Sequence, residues 1–409
     1  MIVNRITLLG QKDHGKSTVI GNLLISTGSV TAERVKEARK ISEQIGKPFE
    51  PAFIMDSFSE EREQGLTIDT TRADIAYNGR IFEFIDVPGH LELMKNMMSG
   101  ASSGDVAVVV ISAKRGEGFT AQTRRHIFIA SMFGMRALIV AVNKLDYMGY
   151  DERKFQNICE MVRDYLGRIG FDKPVEFVPI SAYSSENLIK KSKKMPWYDG
   201  LPLMDTIGSF ISKYGEAPKG KSVRILVQSI ADGASDKVAF GMVYSGSIKV
   251  GEKLRVQPAG MTTAIKKIYL KGLSAKSAPA GTNVALELAD ISKVSRGSVL
   301  YGAADKPYSM NRFEAKVFAI KRLERETNGR IHMKINNNDV PIRALNVLRA
   351  ISPVTGSEEK SASISPSNSG IIALQLKSRY PVENFEECAE LGRFALYEGN
   401  EFLGIGTVR

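Results

Sequence analysis

Cysteine and tryptophan are nearly absent, with two and one among 409 residues. Cys159 and Cys388 have no C-x-x-C spacing and lie on opposite sides of a composition change near residue 215. That pattern excludes a disulfide framework or a thiolate metal knuckle and reads as two packed thiols in a reducing compartment. Histidine is almost as scarce, and after residue 126 only His332 remains, a lone ring in a strand pattern best read as packing. No apolar run approaches the roughly eighteen residues of a membrane-spanning helix. The opening Met1-Ile2-Val3-Asn4-Arg5 runs straight into a strand without the layout of a signal peptide, so the expected location is the cytoplasm, with no membrane partner. Beyond residue 215 no nucleophile, metal cluster or pair of carboxylates has a spacing suited to catalysis.

What is present is ample material for cores. Hydrophobic residues make up 43% of a chain long enough for two or three domains. A formal charge of +11 favours a polyanionic partner such as RNA, although lysine-rich solvated faces explain it equally well.

The most informative stretch is Gly10-Gln11-Lys12-Asp13-His14-Gly15-Lys16-Ser17. It follows the aliphatic run 5–9, suited to a buried strand, and precedes 18–24, which continues as a helix. In G-x-x-x-x-G-K-S the glycines let successive N–H groups point inward, and the helix N-terminus adds positive potential, so a polyphosphate is cradled. Lys16 then reaches the β- and γ-phosphates and the Ser17 hydroxyl ligates Mg²⁺. The motif points to a nucleoside triphosphate and leaves the base open.

Three further sites follow in order. The polar stretch 26–63 contains helical composition over 32–45 and ends before Gly65-Leu66-Thr67-Ile68, where Thr67 is a candidate second hydroxyl ligand for Mg²⁺. Residues 80–85 alternate as an edge-type strand would and deliver Asp86-Val87-Pro88-Gly89-His90. There Asp86 is expected to hold Mg²⁺ through water, the Gly89 N–H to reach the γ-phosphate, and His90 to orient the attacking water. The continuous apolar runs 106–112 and 137–142 read as strands buried on both faces of a parallel sheet. The second leads into Asn143-Lys144-Leu145-Asp146, where the Asp146 carboxylate accepts paired hydrogen bonds from guanine N1–H and its 2-amino group. A third run, 175–180, ends in Ser181-Ala182-Tyr183, whose backbone is placed to contact guanine O6. Together these sites specify a doubly wound, mostly parallel α/β domain binding GTP or GDP with Mg²⁺, its loops at the carboxyl ends of the strands.

After a linker at 215–220 come short alternating runs at 223–230, 238–244, 252–257, 264–270 and 283–288, the strands of a small barrel. A second break at 303–307 introduces another set at 312–320, 331–335, 340–348, 369–376 and 393–408. The expected division is therefore 1–215, 219–304 and 308–409.

In combination these features resemble the translation-factor class of GTPases, in the branch holding elongation factor 1-alpha, release-factor and ribosome-rescue GTPases, and the GTPase subunit of sulfate adenylyltransferase. The resemblance spans the chain and is dense before residue 210, through Asp13-His14-Gly15-Lys16-Ser17-Thr18, Glu61-Arg62-Glu63-Gln64-Gly65, Asp86-Val87-Pro88-Gly89-His90, Gln122-Thr123-Arg124, Asn143-Lys144-Leu145-Asp146 and Met195-Pro196-Trp197-Tyr198. It implies a GTP-binding domain followed by two antiparallel β-barrels, nucleotide contacts through Thr18 as well as the motifs above, and switches at Thr67 and at 86–90. It further implies GTP hydrolysis with a ribosome or tRNA as partner, or alternatively a sulfate adenylyltransferase catalytic subunit. Two departures stand out. Lys12 replaces the family's usual small apolar residue, which with the residue at Leu66 gates the water-positioning His90, and so raises a third reading, a binding module with little hydrolysis. The last domain is also short and lacks the elongation factor's proline- and histidine-rich segment.

Overall fold

The computed structural model describes residues 3–44, 46, 48–55, 71–86, 106–214, 222–232, 237–305 and 309–409. Thr67, Gly89 and His90, together with the linker at 215–220, lie outside the described residues. One compact unit comprises Met1–Ala217 with Pro353–Ser357, and a second comprises Pro218–Ser352 with Glu358–Arg409.

The first unit is built on a six-stranded sheet of β1 (Val3–Leu9), β2 (Thr71–Tyr77), β3 (Arg80–Asp86), β4 (Val106–Ser112), β5 (Ala137–Asn143) and β6 (Val175–Pro179). Its order is β2-β3-β1-β4-β5-β6, and only the β2–β3 pair is antiparallel. Every residue of β4 and β5 is buried, as their unbroken apolar runs require of strands paired on both sides. Burying each of these valines and isoleucines contributes about 1.5–3 kcal/mol.

The alternation in β3 does not mark an edge. That strand lies inside the sheet, paired with β1 and with β2, and β2 occupies the edge. Its polar position survives because Glu83 is paired across the face with Arg5 on β1 at 3.0 Å and Arg72 on β2 at 3.3 Å. Charge pairing between neighbouring strands thus imitates the pattern of a solvated edge.

Parallel register brings the strand ends to one side of the sheet. Leu8 lies opposite Asp86, Ser112 opposite Asn143, and Val142 opposite Pro179. Between β3 and β4, at the end of β1, the chain leaves the sheet into the glycine loop and helix α1 (Lys16–Thr27). Helix α2 (Ala32–Gln44) matches the helical composition read over 32–45. The later helices α3 (Ala121–Met132), α4 (Glu152–Arg168) and α5 (Leu203–Tyr214) alternate with the strands.

The second unit holds two closed antiparallel barrels. In the first, β7 (Arg224–Asp232), β8 (Lys237–Ser245), β9 (Lys253–Gln257), β10 (Met261–Leu270), β11 (Asn283–Leu288) and β12 (Val299–Gly302) run in the order β9-β12-β7-β8-β11-β10, closed by pairing β10 with β9. The strand β12 has no counterpart in the sequence reading. Its four residues are all buried, so no alternation announces it. In the second barrel, β13 (Met310–Ala319), β14 (Ile331–Ile335), β15 (Asn338–Ile351), β16 (Ser369–Tyr380), β17 (Arg393–Glu398) and β18 (Glu401–Val408) run β14-β17-β18-β13-β16-β15, and β14 pairs with β15 to close it. The run read as one strand over 393–408 is a hairpin, because Gly399 adopts φ 58° and Glu398 pairs with Glu401 across the turn.

Between the barrels, Leu226, Val299, Tyr301, Cys388 and Leu391 form an apolar cluster. Beside it the Arg224 guanidinium on β7 donates to the Glu383 carboxylate at 2.8 and 3.1 Å and lies 5.3 Å from the Tyr301 ring centroid. Both cysteines are buried, and burial pushes each thiol up to about 12, which suits packing and not redox chemistry. His332 is half-buried, stacked on Tyr397 at 5.7 Å with its Nε2 3.5 Å from Asp339.

Candidate nucleotide site

The glycine loop takes a shape that only part of its sequence tolerates easily. Gly10 and Gly15 have φ of 138° and 89°, and a Cβ there would stand 2.5 Å from the Val110 carbonyl oxygen or from Asn143 Nδ2. Side chains are excluded on both counts. Asp13 also adopts positive φ, 68°, one of the few residue types that do so at modest cost. Gly15 caps α1 without a side-chain hydrogen bond, and the first turn of α1 carries no acidic residue. Its N–H groups and dipole are therefore uncompensated, the condition for holding an anion.

Lys16 is 8% exposed, and its ammonium donates to the carbonyls of Gly10 at 3.2 Å and Gln11 at 3.1 Å. Burial lowers its pKa, while Asp86 and Asp13 raise it. A cation held in a loop of backbone donors is suited to a polyphosphate. The Ser17 hydroxyl donates to Asp86 Oδ2 at 3.2 Å, so an oxygen from the loop and an oxygen from the end of β3 face one another. Hard oxygen donors of this kind fit Mg²⁺. Among the described residues there is no cluster of three or more His, Cys, Asp or Glu that would hold a different metal.

Asn143 ties three segments together. Its amide donates to the His14 carbonyl at 2.9 Å, and its Oδ1 accepts from the Ala182 N–H at 2.8 Å. Ser181 donates through Oγ to Asp146 Oδ1 at 2.7 Å, which fixes one carboxylate oxygen. Lys144 adopts φ 63° and its ammonium lies 2.7 Å from Glu117. Glu117 is resisted by burial, but hydrogen bonds from Lys144 and Ser112 bring its carboxyl down to about 2. The Tyr183 side chain is 49% exposed, in keeping with a contact through its backbone. Thr18 is turned from the loop to Glu50, its hydroxyl donating at 3.0 Å.

The His14 ring is buried against β4, with Nδ1 3.2 Å from the Val110 carbonyl. A carbonyl only accepts, so Nδ1 carries the proton. Burial lowers the ring's pKa, opposed by that hydrogen bond. His14 therefore faces the sheet and leaves its backbone to the loop.

Glu117 and Asn22 are missing from the sequence reading. Asn22 donates to the carbonyls of Ala182 and, at 3.2 Å, of Tyr183. A polar residue inside the apolar run Val19-Ile20-Gly21-Asn22-Leu23-Leu24 was its signal; Glu117, in an irregular loop, had none.

A family model described as the elongation factor Tu GTP binding domain matches residues 2–213, and one described as GTP-eEF1A C-terminal domain-like matches 312–409. The chain belongs to the translation-factor GTPase superfamily. This GTPase is 34% identical to elongation factor 1-alpha of Cenarchaeum symbiosum, over 98% of its own length and 94% of the relative's. It is 33% identical to that of Thermoplasma acidophilum, over 99% and 96%. Against the solved structure of Sup35 complexed with GDP the GTPase has 23% identity and a TM-score of 0.44, covering 99% of its own chain and 93% of the other. Among its described residues no helix is long and apolar enough to cross a membrane.

Proposed function

We propose that this GTPase is a cytoplasmic translation factor of the elongation factor 1-alpha type, alternating between GTP and GDP states to bind and release an RNA or ribosomal partner. The observation that carries the reading is the near-complete, end-to-end match to elongation factor 1-alpha from several archaea, covering 94–96% of those proteins. On this reading 1–215 would be the nucleotide domain, and 219–304 and 308–409 the partner-binding barrels. The net charge of +11 favours the same kind of partner.

Within the site, the backbone of Gly10, Asp13, His14, Gly15 and Thr18 together with Lys16 would hold the phosphates. Asn143, Lys144, Asp146 and the backbone of 181–183 would hold guanine. Adenine offers no donors to match the Asp146 carboxylate, so its acceptors are left unpaired with the wrong base. Ser17, Thr67 and Asp86 would hold Mg²⁺, whose charge offsets that of the β- and γ-phosphates. Gly89 would approach the γ-phosphate through its N–H, and His90 would orient the attacking water.

Ribosome-dependent hydrolysis tests the proposal. Purified ribosomes from the source organism are expected to accelerate GTP turnover, and tRNA to bind in the GTP state. Neither effect, with adenylylsulfate formed on mixing with a separate adenylyltransferase chain, would move the protein to sulfate activation.

A further inference from the structure

One cation of the glycine loop is left over when the phosphate-binding parts have been assigned. Lys16 points inward, its ammonium on the Gly10 and Gln11 carbonyls. The Gln11 carbonyl that receives it belongs to the peptide group whose nitrogen is Lys12. The side chain of Lys12 therefore leaves the backbone one peptide from the point where the loop holds its buried ammonium. Lys12 is exposed, and it has no hydrogen bond or ion pair among the described residues. Its neighbour Asp13 is turned into the left-handed region, φ 68°, and is exposed as well.

In this arrangement two lysines, with Asp13 between them, stand on one short loop. An exposed ammonium on this loop attracts an anion bound there, the more so the more negative the anion. A lysine side chain has a flexible four-carbon stem, long enough to fold back over the loop mouth. GTP brings one more phosphate than GDP to this end of the loop, where Lys16 reaches the β- and γ-phosphates.

We infer that Lys12 reads the terminal phosphate, acting as a second, in-cis cation that makes the site prefer a nucleoside triphosphate over the diphosphate. The inference rests on the glycine loop being the guanine-nucleotide site. Lys12 is a specificity-determining residue in this role: it discriminates by the charge of the ligand and leaves the guanine contacts alone.

The test measures affinities for GDP and for a β,γ-imido GTP analogue in wild type, K12Q, K12V and K12R. The ratio of analogue to GDP affinity is expected to fall roughly tenfold in K12Q and K12V and to recover in K12R. The ratio in wild type is also expected to decline more steeply with added salt than in K12Q. A ratio within twofold of wild type in K12Q, or equal losses for both nucleotides, would overturn the inference while leaving GDP binding to report on the underlying site. Wild-type protein that binds neither nucleotide would instead remove the reading of the loop itself.

Discussion

The Asn143 amide donates to the His14 carbonyl at 2.9 Å, joining the loop proposed for the base to the loop proposed for the phosphates. Through its other end Asn143 accepts from the Ala182 N–H, so one buried side chain fixes three loops at once. Replacing it with alanine leaves a buried acceptor and a buried donor unpaired, each at a cost of about 1–3 kcal/mol. N143A should lower the melting temperature and weaken GDP binding at least roughly tenfold. Calorimetric titration against wild type checks this, and affinity within twofold would mean the loops are held by other contacts.

Asp146 has one carboxylate oxygen oriented by Ser181 at 2.7 Å, which fixes the plane in which the proposed guanine contacts would form. In D146N an amide N–H₂ takes the place of one acceptor and matches a carbonyl instead of an amino group. GDP affinity should fall by about 10²-fold or more, and xanthosine diphosphate, which carries a carbonyl at the 2-position, should bind better than to wild type. Competition between the two diphosphates measures the exchange. Unaltered preference for guanine in D146N would show that the carboxylate does not read the base.

His14 is held below its usual value of 6.5 chiefly by burial. The unfolded chain therefore binds a proton at higher pH than the folded one, and stability rises with pH across that interval. The contribution is fully present above about pH 6.5 and is lost as the pH falls from there through the lowered folded value. The stability difference between wild type and H14Q should accordingly shrink between pH 7.5 and 5 in denaturant titrations. A constant difference would mean that the ring does not titrate differently on unfolding.

Arg224 and Glu383 form a buried pair between the two barrels, with side chains 10% and 0% exposed. Removing one partner strands a buried charge, and E383A or R224A should cost about 3–5 kcal/mol. The double replacement R224A/E383A should cost less than the sum of the single variants, because no charge is left behind. Denaturant melts of the four proteins give the coupling. Additive losses would show that the two groups do not depend on each other.

Sequence reached furthest where one physical constraint governs a run of residues. The strand β4 was legible to the residue because both its faces are covered, and the glycine loop because few residue types accept its backbone. It failed where tertiary contacts mimic or hide the local signal. The ion pairs of Glu83 gave β3 the look of an edge, four fully buried residues concealed β12, and a single glycine divided the run over 393–408. In the site, motifs named Lys144 and Asp146, but their partners Glu117 and Ser181 come from loops brought together only by the register of parallel strands. The sequence marks Ser181 for its backbone alone; its hydroxyl in addition holds Asp146.

Titration of the purified protein with GDP and with ADP, each in the presence of Mg²⁺, tests the guanine-nucleotide site most directly. GDP should bind at one site per chain, and ADP should be at least about 10²-fold weaker. Equal affinity for the two diphosphates, or no binding of GDP, would contradict the assignment of Asn143, Asp146 and the glycine loop to a guanine nucleotide.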